Sequence, residues 1–251
     1  MSKVRQRLDA ELLRRGFFQT RARAQAAVMA GVVLVNGAVQ TKAGQQVTED
    51  AVLELLKDDC PFVSRGGLKL KAALEYFKLD PANKICMDVG ASTGGFSDCF
   101  LQSGAAKVYA LDVGKGQLED KLKKDTRLVF LQDTNARFLT AEVLPEKPQL
   151  AAMDVSFISL KLVLLPVLSC LSKPGALVAL IKPQFELTPE KVPGGLVKEE
   201  GDRQAAVAGV REFFVSSGAK KAGWKDGGVF ESPVRGAAKG NVEYLWLIHR
   251  S

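Results

Sequence analysis

Histidine is almost absent from this 251-residue chain: the one copy, His249, sits next to the C-terminus. A Ser-His-Asp triad or a histidine-based metal site has almost no material here, so catalysis falls to Lys, Asp or Glu. Cysteine is scarce as well. Cys60, Cys86, Cys99 and Cys170 form no Cys-x-x-Cys pair and sit mostly inside apolar runs, which argues against a disulfide framework or zinc site and for buried free thiols. Long hydrophobic runs are missing too: Leu160 to Leu171, among the longest, is broken by Lys161 and Pro166. It falls short of the ~20 residues that span a bilayer. The N-terminus carries no apolar signal core, so the expectation is a soluble, cytoplasmic protein with no metal and no membrane partner.

What is present is a core-forming composition, 47% hydrophobic and 25% charged, enough for one substantial core and a second small one. The formal net charge is +7, and its distribution says more than its size. Within residues 1 to 45, Lys3, Arg5, Arg7, Arg14, Arg15, Arg21, Arg23 and Lys42 face only Asp9 and Glu11. Such a concentration suits a polyanionic partner.

Residues 4 to 15 place Val4, Leu8 and Leu12 at helical spacing, which predicts an amphipathic helix ending near Gly16. Thr20 reads as the N-cap of a second helix over 21 to 30. Val32 to Val35 then run into Asn36-Gly37, a type I′ hairpin signal, with Val39 to Thr41, Val47 and Val52 to Leu55 continuing a small sheet. The Arg7-Leu8-Asp9 triplet and the pattern from Thr20-Arg21 through Gly31 to Asn36-Gly37 resemble the small RNA-binding fold named after ribosomal protein S-four. That resemblance implies that Arg5, Arg7, Arg21 and Arg23 face RNA phosphates. Lys57 to Pro61 is a polar connector ended by proline, which divides the chain into 1–60 and 61–251.

Beyond the connector, strands are expected near 85–89, 107–112, 128–132, 150–154 and 176–182, alternating with helices, and two closing strands near 228–231 and 243–249. The expectation is an α/β Rossmann-like domain with a mixed, mostly parallel sheet, beside a small N-terminal α+β domain. The first of these strands ends in Asp88-Val89-Gly90-Ala91-Ser92-Thr93-Gly94-Gly95-Phe96, a glycine-rich turn before a helix, which is how a nucleotide-type cofactor is held. A pyrophosphate binder reads G-x-G-x-x-G; here the spacing is G-A-S-T-G-G with an acid two places earlier, which suits an amine-bearing and hydroxyl-bearing ligand such as S-adenosylmethionine. Asp112, closing the second strand, stands where a carboxylate accepts from ribose hydroxyls. Asp133 is placed toward the adenine amino group, with an Asx turn at Gln132 to Asn135 as the alternative.

Four motifs follow the expected strand ends and loops: Ser64 to Lys69, Met153 to Phe157, Ile181 to Glu186 and Gly240 to Tyr244. Together they resemble the Lys-Asp-Lys-Glu tetrad of FtsJ-like ribose 2′-O-methyltransferases, which assigns Lys69, Asp154, Lys182 and Glu243, with Glu231 nearby in another loop. With the N-terminal unit, the whole chain resembles the TlyA (hemolysin A) family, and the resemblance implies methylation of cytidine ribose 2′-hydroxyls in ribosomal RNA of ribosomal subunits. A lysine acts as base only in its neutral form, which burial and a neighbouring cation favour, so Lys182 is expected as base or hydroxyl-orienting group. Phe157 is placed near the target nucleoside or in the core. The competing functions are an inactive RNA-binding or ribosome-assembly factor, a membrane-active hemolysin and, remotely, a dinucleotide oxidoreductase.

Overall fold

The computed structural model describes residues 5–18, 20–29, 31–55, 60–114, 117–236 and 239–251. The chain divides into two compact units, 1–59 and 60–251. Lys3, Val4, Ala30 and Lys57 to Asp59, which figure in the predicted helices and connector, lie outside the described residues.

In the first unit the chain runs β1 (Arg5–Arg7), α1 (Leu8–Arg14), α2 (Arg21–Met29), β2 (Val33–Val35), β3 (Ala38–Gln40), β4 (Gln46–Thr48) and β5 (Leu53–Leu55). The first helix starts at Leu8 and not at residue 4. Arg5–Arg7 instead pair antiparallel with Gln46–Thr48. Helical spacing at Leu8 and Leu12 reports only which residues are buried, whereas the strand is specified by partners some forty residues away. Val47 belongs to that two-stranded ribbon and not to the sheet β3-β2-β5. Thr20 Oγ1 accepts the Arg23 N–H (3.3 Å) at the start of α2, and Asn36 and Gly37 turn the β2–β3 hairpin with φ of 51° and 76°. Leu8, Leu12, Ala24, Val28, Val33, Val47 and Leu53 form the small core.

The second unit contains α3 (Gly66–Tyr76), β6 (Ile85–Val89), α4 (Gly95–Gln102), β7 (Lys107–Asp112), α5 (Asp120–Lys123), β8 (Leu128–Gln132), β9 (Leu150–Met153), α6 (Leu164–Cys170), β10 (Gly175–Ile181), α7 (Glu200–Ser216), β11 (Lys225–Glu231) and β12 (Tyr244–Arg250). They build one seven-stranded sheet in the order β11-β12-β10-β9-β6-β7-β8. β6 is parallel to β7 on one side and to β9 on the other. The chain leaves β6 in one direction and returns on its other flank, so the carboxyl ends of β6 and β9 bound a topological switch point, the place where open α/β sheets bind ligands. β12 runs antiparallel between β10 and β11.

Alternate side chains on each strand go to opposite faces, and the two main cores follow that alternation. Met87, Tyr109, Ala151 and Met153 pack with Leu164, Val207 and Phe214; Cys86, Val108, Leu150 and Ala152 pack with Leu70, Leu74, Cys99 and Phe100. Cys86, Cys99 and Cys170 are buried free thiols, and burial pushes the first two up to about 12. Phe214 on α7 meets Trp246 of β12 edge-on at 5.5 Å, both without solvent exposure. Phe214→Ala leaves a cavity under this ring pair and is expected to lower unfolding stability by about 3–5 kcal/mol, read from urea unfolding midpoints.

Candidate active site

The carboxyl edge of the sheet is assembled by close backbone contacts. Gly90 has a φ of +85°, and a Cβ there would stand 2.6 Å from the Asp154 carbonyl oxygen. The turn after β6 therefore lies directly against the segment after β9. The N–H groups of Gly90 and Ala91 donate to the Leu111 carbonyl (2.9 and 3.0 Å), tying the same turn to β7. Gly94 has a φ of +96°, with Leu118 and Leu122 filling the space a side chain would need, and Gly95 opens α4. Thr93 accepts the Glu119 N–H through its carbonyl (3.2 Å).

Asp112, at the end of β7, accepts the Ser92 N–H at 2.7 Å and the Gly114 N–H at 2.6 Å. Ser92 itself has a φ of +49°, and its hydroxyl reaches Gln117 at 3.2 Å. Asp133 follows β8 with a φ of +57°. Ala91 and Phe96 are buried, Phe96 within the core that also holds Leu70 and Phe100. Asp88 is buried beneath the turn. Its Oδ2 accepts the Ser97 N–H (2.8 Å) and hydroxyl (2.7 Å), while Oδ1 has no hydrogen-bond partner. Burial, reinforced by the negative charges of Asp154 and Asp112, pushes its carboxyl up to about 7.

The four tetrad positions form two ion pairs. Lys182 Nζ lies 2.6 Å from Asp154 Oδ1 and donates to Ser156 Oγ at 2.7 Å. Lys69 Nζ, in the first turn of α3, donates to Glu243 Oε2 at 2.5 Å, with both side chains buried. Glu231 instead pairs with Arg235 at 3.2 Å, half exposed. In the antiparallel register Ile181 stands opposite Tyr244, so Lys182 and Glu243, one residue further out, close the same end of adjacent strands. Asp154 follows Met153 at the end of β9, on the same edge. Lysine–carboxylate pairs at the carboxyl edge of a sheet, next to a glycine turn at its switch point, can hold and deprotonate a hydroxyl in front of a nucleotide-type ligand.

Side chains that sequence reasoning did not single out hold these pairs in place. Ser156 shares Lys182 with Asp154. Glu186 accepts the Ser159 hydroxyl (2.6 Å) and the Leu160 N–H (2.7 Å), and burial raises its carboxyl. Asn241 uses both amide atoms, accepting the Val197 N–H (2.9 Å) and donating to the Gly195 carbonyl (2.8 Å), which fastens the loop after β10 to the arm carrying Glu243. Each stands inside or beside a recognised motif, but its partner is distant in sequence.

The fold and site define a methyltransferase-type α/β domain. The FtsJ-like methyltransferase family profile matches residues 62–250, and that of the S4 domain residues 6–53. The 16S/23S rRNA (cytidine-2′-O)-methyltransferase TlyA of Mycobacterium tuberculosis is 43% identical over 246 residues, covering 97% of this chain and 90% of its own. Hemolysin A of Brachyspira hyodysenteriae is 38% identical, covering 95% and 98% respectively. A solved structure of a candidate hemolysin from Streptococcus thermophilus superposes with a TM-score of 0.74 at 38% identity, covering all of this chain and 90% of its own. The chain belongs to the TlyA (hemolysin A) family of FtsJ-like methyltransferases.

Asp88 carries a pH signature. A carboxyl whose folded pKa is raised from 3.8 to about 7 stabilises the fold fully below the unfolded value and loses that contribution as pH rises through the folded one. Unfolding free energy is therefore expected to decline between about pH 4 and 7, and Asp88→Asn to flatten the decline, in urea titrations across that range.

Proposed function

We propose that this protein transfers the methyl group of S-adenosylmethionine to the 2′-hydroxyl of a cytidine ribose in ribosomal RNA. The observation that carries the reading is the pair of lysine–carboxylate bridges beside the glycine turn at the switch point. The chemistry S-adenosylmethionine supplies when bound is an electrophilic methyl on a sulfonium. The turn suits it: Asp88 offers a buried carboxyl oxygen without a partner, Asp112 a carboxylate at the end of β7, and Gly90 and Gly94 a close-packed backbone at positive φ that only glycine permits. Asp133 is assigned to the adenine end.

An ammonium has three donor directions. Ser156 takes one at Lys182, Asp154 stands in ion-pair contact beside the same nitrogen, and a donor direction is left for the ribose oxygen. In its neutral form Lys182 would accept the hydroxyl proton as the new C–O bond forms and the methyl–sulfur bond of the sulfonium breaks to leave a neutral thioether, while Asp154 holds the lysine nitrogen in place. Lys69, held by Glu243, supplies the adjacent positive charge. Phe157, largely exposed three residues after Asp154, offers its ring to the nucleobase.

Residues 1–60 are assigned to RNA binding and 61–251 to methyl transfer, with the ribosomal subunit in the cytoplasm as partner. Arg5, Arg7, Arg21 and Arg23 are all exposed on the first unit. Asp9, itself buried, accepts from Arg7 (2.9 Å), Arg21 (3.1 Å) and Gln25 (2.7 Å), and the arginines hold its carboxyl well below the usual range. Two guanidiniums thereby share one anchor and keep their remaining N–H groups for phosphates. A hemolytic activity has less support, since among the described residues no helix is long and apolar enough to cross a membrane.

The test is transfer of labelled methyl from S-adenosylmethionine to ribosomal subunits, mapped to the ribose. Lys182→Ala is expected to lower turnover by about 10²–10⁴-fold while RNA binding persists. Wild-type turnover in that variant, or label on a base, would sink the assignment. Arg7→Ala and Arg21→Ala are expected to weaken RNA binding and to reduce the slope of log K against log salt by roughly 0.7–0.9 each, measured by filter binding across salt concentrations.

A further inference from the structure

The loops after β9 and β10 are joined at two points. At the first, Lys182 reaches Asp154 and Ser156. At the second, Glu186, four residues past Lys182, accepts from the Ser159 hydroxyl and the Leu160 N–H. Phe157 and Ile158 form the arch between these points. Phe157 has a φ of +61° and is 91% exposed, so it combines a left-handed backbone with an unburied aromatic ring. Both features are unfavourable for a bulky residue, and such a conformation persists only where the surroundings over-determine it. The Phe157 ring meets Phe185 at 5.2 Å, and Lys182 Nζ lies 5.9 Å from the Phe185 ring centre. The arch, Phe185 and Lys182 thus form one connected cluster, closed at its far end by Glu186.

We propose that Glu186 is a positioning residue for methyl transfer: by gripping Ser159 and Leu160 it sets the 156–159 arch, and through Ser156 it aims Lys182 at the ribose. The proposal rests on the reading of Lys182 as the hydroxyl-orienting group. Ser156 fixes one of the donor directions at Lys182. Releasing the arch removes that constraint and leaves the nitrogen to Asp154 alone. A misplacement of about 1 Å at a reacting group costs on the order of 10²-fold in rate. The cofactor turn is built from β6, β7 and α4, and Glu186 bonds to none of them. Its loss therefore falls on the chemical step and not on cofactor binding.

The experiment compares full-length wild type with Glu186→Ala, Glu186→Gln and Ser159→Ala for kcat, KM for S-adenosylmethionine, RNA dissociation constant, pH profile and thermal unfolding. Glutamine keeps a carbonyl acceptor for the Leu160 N–H and an amide donor for Ser159, so it preserves the geometry without the charge. Glu186→Ala is expected to lower kcat about 100-fold with both binding constants within about threefold of wild type. Glu186→Gln is expected to recover kcat to within about fivefold with an unchanged pH profile. An alanine variant with wild-type kcat, a loss confined to binding, or a glutamine variant as slow as alanine with a displaced pH profile would overturn the proposal. Should Glu186→Ala fail to fold, Ser159→Ala is expected to lower kcat about tenfold, and wild-type kcat there overturns it equally. A wild type that transfers no methyl group overturns the functional reading itself, whereas an active wild type with an indifferent Glu186→Ala overturns this proposal alone.

Discussion

The contact on which the active edge depends is the backbone approach between Gly90 and Asp154, where a Cβ would stand 2.6 Å from the Asp154 carbonyl oxygen. Only glycine tolerates both this spacing and the positive φ. The contact brings the glycine turn and the Asp154 loop together. Asp154 in turn pairs with Lys182, and Lys182 lies across the strand end from Glu243. Asp154, Lys182 and Glu243 come together because neighbouring strands of one sheet end at the same level, and Lys69 reaches Glu243 from α3.

The two lysine–carboxylate pairs have a cost that packing does not repay. Removing opposite charges from water consumes most of what their attraction returns, and apolar replacements of similar volume are often as stable or more so. Lys69 and Glu243, both nearly without solvent exposure, are on the proposed reading retained for chemistry. The same logic applies in the first unit, where Asp9 and Glu11 are fully buried carboxylates surrounded by arginines. There the buried charge orders the guanidiniums of Arg7 and Arg21 at the surface.

Much of the architecture was legible in the residue pattern, because strand and helix periodicities are local. The apolar runs at 85–89, 107–112 and 128–132 became strands with those same limits. Of the two neighbouring carboxylates, Glu243 meets Lys69 and Glu231 meets Arg235, a choice that only the packing makes. Arg5–Arg7 were misread as helix because their strand partner, Gln46–Thr48, leaves no trace in local spacing. Glu186 and Asn241 were passed over for a related reason: a polar residue in a loop reveals its role only through the backbone groups it meets.

The sequence by itself determined the order of elements and the glycine turn with its acidic neighbours, since these depend on residue type and spacing along the chain. The tertiary structure decided which charges meet and which are withheld. It attached Arg7 and Arg21 to Asp9, buried Phe96 while leaving Phe157 in solvent, and left one oxygen of Asp88 without a partner beneath the turn. The physical reason is that burial and hydrogen bonding are properties of packed surfaces, created only when distant segments exclude water from one another.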